Sequence, residues 1–160
     1  MVYEEVVAIA VIIPSPTPHF LPDSISGTIE GWEMEKDSDL PGGAAELISP
    51  FGPGEKAING HQLIHRARET GACFGQRHAQ AMVGSVPEDW DYYVPFPGTV
   101  FRPPPRYRYR EDEHSESSLF GRFIPCLKKE GGAWTIELQG LHMVFFNIEP
   151  GAVRILCPVR

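Results

Sequence analysis

Residues 6–13 form an apolar run of eight without a polar break. Val, Ile and Ala dominate it, and Pro14, Pro16 and Pro18 end it because proline cannot donate to a ladder, so the run predicts a buried β-strand. Glu4 and Glu5 stand where a signal peptide needs positive charge, and eight residues fall far short of the roughly 20 that span a bilayer, so no membrane segment is expected. Residues 14–54 then hold seven prolines. They read as loop, with one strand around residues 25–34 and the Asp37–Asp39 cluster after it.

From residue 56 the period changes to 3.6. Leu63, Ile64, Ala67, Gly71, Phe74, Gly75, Ala81 and Met82 fall on one arc and Asn59, Gln62, Arg66, Glu69, Gln76, Arg77 and Gln80 on another, which predicts one amphipathic helix over 56–84, stopped by Pro87. Gly60, Gly71 and Gly75 weaken it by up to ~1 kcal/mol each relative to Ala, so a break near Gly71–Gly75 is an open alternative. Beyond Pro87 short strands are expected at 92–102, 119–127, 134–138, 143–148 and 153–157. Lys129-Glu130-Gly131-Gly132 reads as a hairpin loop and Glu149-Pro150-Gly151 as a tight turn.

These elements predict an α+β fold, an antiparallel β-meander backed by one long amphipathic helix, with a Pro/Gly-rich N-terminal segment. The 160 residues suit a single domain: a strand plus acidic loops in 1–55, the helix in 56–84 and the antiparallel sheet in 90–160. Gly and Pro together make 32 of the 160 residues, well above the average of about 12%, so long irregular segments are expected.

Charge narrows the function. The net charge is −7, and residues 1–55 carry ten acidic groups against one lysine. Such a chain is poorly suited to neutralising phosphates along a nucleic acid, whereas its acidic stretch can meet a basic protein surface. Cys73, Cys126 and Cys157 are far apart and form no C-x-x-C pair, which suggests reduced thiols and a cytoplasmic setting.

His61 and His65 form H-x-x-x-H, and this spacing places two imidazoles on one helix face where both could bind zinc. Gln62 replaces the glutamate that would make the pair a metalloprotease motif. His78 could serve as a third ligand only if the helix breaks. Arg102, Arg106, Tyr107, Arg108, Tyr109 and Arg110 interleave cations with aromatics around Pro103, Pro104 and Pro105, a pattern suited to partner recognition. Glu111, Asp112, Glu113 and Glu116 follow at once, which points to a self-neutralised loop.

Trp90, Tyr92, Tyr93, Phe96 and Phe101 form an aromatic patch read as sheet core, or alternatively as the lining of a ligand pocket near Phe96. Cys73 shares the polar arc with Arg77, a cation able to lower a thiol pKa. No nucleophile elbow, phosphate-binding glycine loop or dinucleotide fingerprint occurs. The sequence therefore predicts a small, soluble, non-enzymatic protein-interaction module without a cofactor. It would act through an acidic surface of Glu33, Glu35, Asp37 and Asp39 and through the Arg/Tyr loop. The alternative is a zinc-dependent hydrolase built on His61, His65 and a third ligand, either His78 or one of His19, His114, Cys126 and an acidic residue of the N-terminal third.

Overall fold

The computed structural model describes residues 9–13, 32–103 and 121–159. His19, Arg106, Tyr107, Arg108, Tyr109, Arg110 and His114 lie outside the described residues, as does most of the strand expected at 25–34. The elements in order are β1 (Ile9–Ile13), β2 (Glu33–Lys36), β3 (Gly43–Ile48), β4 (Ala57–Asn59), α1 (Gly60–Thr70), α2 (Gln76–Met82), β5 (Tyr92–Pro95), β6 (Val100–Arg102), β7 (Phe123–Glu130), β8 (Ala133–Gly140), β9 (Val144–Phe146), β10 (Ala152–Val153) and β11 (Ile155–Pro158).

Among the described residues strand outweighs helix, in curled sheets with two short helices, so the expected meander backed by one long helix is overturned. The helix fails at both ends for local reasons. Residues 57–59 extend as β4 against β9, and α1 begins only where Asn59 caps it. The Asn59 side chain accepts from the Gln62 N–H at 2.8 Å while the Gln62 side chain accepts from the Asn59 N–H at 2.9 Å, a reciprocal capping box. At the other end Gly71 adopts φ +80°, and the Ala72 N–H reaches back to the Ala67 carbonyl at 2.8 Å. That left-handed stop satisfies the last carbonyls and ends the helix. After Gly75 the chain restarts as α2.

The sheet is no meander either. β7 pairs along its length with β8, while β5 and β6 share β7's opposite edge. β10 joins β5 in parallel, and β2 pairs with β6. The strand expected at 92–102 is thus two strands, interrupted by the corner at 96–99. β1 and β11 flank β3 in a separate three-stranded sheet. The expected hairpin is present: β7 and β8 pair from Phe123↔Gly140 to Glu130↔Ala133. Its loop residues Gly131 and Gly132 both have positive φ, as a two-residue turn of this hand requires.

Period-2 alternation divides the interior in two. Leu127, Ile136, Val94 and Phe101 join Trp90, Phe96 and residues of α2 in one buried cluster. Ile124, Cys126 and Val100 join Leu63, Ala67, Ile58 and Phe145 in another. Successive residues of one strand point to opposite faces, so the central sheet is covered on both sides, by α2 on one and by α1 with β9 on the other. No helix among the described residues is long and apolar enough to cross a membrane.

Candidate functional site

Helix α1 shows the second core a stripe of Leu63, Arg66 and Ala67, all buried. Its neighbouring stripe is His61, Ile64, His65 and Arg68, at i, i+3, i+4 and i+7, and these four line a cleft of about 240 Å3. The facing wall consists of Glu35 and Lys36 from β2, Val100 from β6, Arg122 just before β7, and Leu141. Gly60 lets the helix start close on that wall, since a Cβ there would lie 2.0 Å from the Leu141 carbonyl oxygen.

Glu35 and Lys36 are sequence neighbours and should face opposite ways in a regular strand. They share the cleft because the β2–β6 register shifts between Met34 and Lys36: Met34 opposes Phe101, and Lys36 opposes Val100. This bulge re-aims the chain. Glu35 is then held from the sheet side. The Arg122 Nε–H donates to both its oxygens, at 2.9 and 3.1 Å, and Arg102 Nε lies 3.7 Å from Oε2. On the helix, His65 Nε2 lies 3.0 Å from Glu69 Oε1.

The structure thus unites elements that the sequence suggested separately. The His61/His65 pair, the acidic strand and the root of the Arg/Tyr segment meet in one place. Of the predicted acidic residues, Glu33 and Asp39 are exposed. Asp37 is turned inward: its Oδ1 accepts from Thr99 Oγ1 at 2.7 Å, and Arg77 Nε lies 3.6 Å from its Oδ2. It belongs to a polar knot in which Ser38 Oγ donates to the Cys73 carbonyl at 2.6 Å and the Gln76 N–H donates to Thr99 Oγ1 at 2.8 Å.

His78 sits in that knot, away from His61 and His65. Its Nδ1 accepts from the Gly75 N–H at 3.0 Å and its Nε2 lies 2.8 Å from the Leu40 carbonyl, an arrangement that the neutral Nε2–H tautomer satisfies. Burial holds its pKa below the ordinary histidine value. Both ring nitrogens are engaged, and among the described residues no group of three His, Cys, Asp or Glu is placed to hold a metal ion. The charged neighbours of His61 and His65 in the cleft are Glu35, Lys36, Arg68 and Arg122.

The aromatic patch is mostly core. Trp90, Phe96 and Phe101 are all buried. A cavity of about 350 Å3 does open on the opposite face of the sheet, where Tyr93, Glu137 and Gln139 form a polar floor beside Phe145 and Phe146. The Tyr93 hydroxyl donates to Glu137 Oε1 at 2.7 Å, and burial, then Cys126 and Glu137, push its pKa up. Cys73 is in the loop between the helices rather than on a helix face. Burial raises its pKa despite Lys36 and Arg68 nearby, opposite to the activation that Arg77 suggested.

No protein-family model, curated protein or solved structure matches this chain.

Proposed function

We propose that the chain is a small, non-enzymatic interaction module that docks a protein partner along the outer strand of its six-stranded sheet. The observation that carries this reading is the β2–β6 pairing, which sets Glu33 opposite Arg102. The acidic strand and the root of the Arg/Tyr segment become one charged strip instead of two surfaces. Within that strip Glu33 and Asp39 are exposed, and their carboxylates would steer a partner presenting lysine or arginine.

Charge at the rim of an interface acts mainly on association rate and its salt dependence. The test immobilises the full chain and captures proteins from its source at low salt, then measures their kinetics against a variant carrying Glu33→Lys and Asp39→Lys. The expected result is a basic partner whose association slows at least tenfold while its dissociation changes little. Capture that is indifferent to both charge reversals, or no capture at low salt, overturns the reading.

A further inference from the structure

We infer that the cleft beneath α1 is a binding site for a phosphate monoester. Three observations lead there. The first is charge. The chain carries −7 overall, yet the cleft lining holds three cations, Lys36, Arg68 and Arg122, against the single carboxylate of Glu35, with His61 and His65 adding ring nitrogens. That surplus of two positive charges matches a phosphate monoester, which carries about −1.5 to −2 near neutral pH. Its position inside a concave wall concentrates the field.

The second observation is that the site already binds an oxyanion. Glu35 accepts a bifurcated bond from Arg122 and lies beside Arg102. The sheet wall is therefore arranged around a carboxylate, and Arg68 and Lys36 remain beyond it as lining residues. The third is shape. A volume of about 240 Å3 whose lining includes Ile64, Val100 and Leu141 exceeds what a phosphate group needs, so the group would enter with the organic fragment that bears it lying against these apolar side chains. His61 and His65 both line the cleft, and the His65 ring is engaged by Glu69, with Nε2 3.0 Å from Oε1.

This site stands independently of the partner reading, and the probe is phosphate itself. Backbone amide NMR of the full chain is followed at fixed pH and ionic strength during titration with inorganic phosphate. The expected result is saturable shifts at Lys36, His61, His65, Arg68 and Arg122, with a Kd on the order of 1 mM, which corresponds to about −4 kcal/mol. Arg68→Ala weakens binding about tenfold, while Glu35→Gln strengthens it several-fold by removing the internal competitor. Unchanged shifts across the rest of the spectrum certify that the variants are folded.

A phosphoserine peptide and a sugar phosphate separate the sources. A gain over inorganic phosphate for the peptide alone assigns the group to a phosphorylated protein, and a gain for the sugar phosphate alone assigns it to a small metabolite. Equal affinity for all three means that the site reads the phosphate only. Absence of saturable shifts up to 20-fold above the expected Kd overturns the inference, as does binding that Arg68→Ala leaves intact. Failure of the parent chain to capture any partner at low salt, with phosphate binding preserved, would sink the proposed function and leave this site standing.

Discussion

Replacing Glu55 with Ala tests whether α1 is held in its present rotation by one buried charge. Arg66 was expected on the solvated arc of a long helix, but it is only 6% exposed. Its guanidinium donates to the Pro50 carbonyl at 2.8 Å and to both oxygens of Glu55. Glu55 also accepts from the Gly52 N–H, and the Arg66 contact, then the Gly52 bond, hold its pKa below the ordinary carboxylate value. Removing one partner of a buried pair costs about 3–5 kcal/mol. The Glu55 side chain is 31% exposed, so water can reach the guanidinium, which also keeps its bond to the Pro50 carbonyl, and the cost falls to roughly 2–3 kcal/mol.

For a chain of this length each kcal/mol moves Tm by about 2–4 °C, which gives a drop of about 4–12 °C by calorimetry at pH 7. The double variant Glu55→Gln, Arg66→Met removes both charges and should recover at least half of that loss. The clasp lies on the helix face next to the His61, His65 and Arg68 stripe. The Glu55→Ala variant should therefore also broaden the amide signals of the cleft. A Tm within about 1 °C of the parent, or a double variant no better than the single, would refute the argument.

Two further outcomes are expected. His78 is buried neutral with a lowered pKa, so the unfolded chain binds more protons than the folded one as pH falls below the ordinary value of 6.5. Its stabilisation is whole above that pH and is lost as pH falls through the folded pKa, with a slope of at most ~1.4 kcal/mol per pH unit; melts from pH 8 to 5 should show this fall, and His78→Gln should flatten it. Gly98→Ala would place a Cβ 2.0 Å from the Cys73 carbonyl oxygen and 2.8 Å from Ser38 Cβ, forcing the 96–99 corner off the knot at a cost of about 1–3 kcal/mol. Gly84→Ala, where a Cβ meets nothing within 4 Å, is the control and should stay within about 0.5 kcal/mol by denaturant titration.

Local chemistry was legible in the sequence, and long-range pairing was not. The Gly131-Gly132 turn and the strands either side of it follow from backbone conformations that only glycine adopts cheaply, and the first apolar run became β1. The Asn59…Gln62 capping box was also written in the sequence and would have started the helix at Gly60. Periodicity overrode it, because β4 and both helices happen to keep a shared apolar phase across Gly71–Gly75. β3 was missed because Gly43, Ala44 and Ala45 give little strand signal. It is a strand because β1 and β11 claim its two edges, which no local pattern announces. At the cleft, the helix stripe was visible as His61 and His65. The opposing wall was not, since Glu35, Lys36 and Arg122 converge only through the β2–β6–β7 pairing.

The shifted register at Met34–Lys36 bears on how this surface can change over time. Where a strand is regular, altering the charge that it presents requires a codon for a different residue. In β2 it requires only a change in chain length: losing one residue would restore strict alternation and send either Glu35 or Lys36 to the opposite face. The charge of the wall, where Lys36 and Arg122 stand against Glu35, would then rise or fall by one unit. Single-residue insertions and deletions in this short segment are thus a route to new ligand preference, and alignments that treat such gaps as neutral would overlook it.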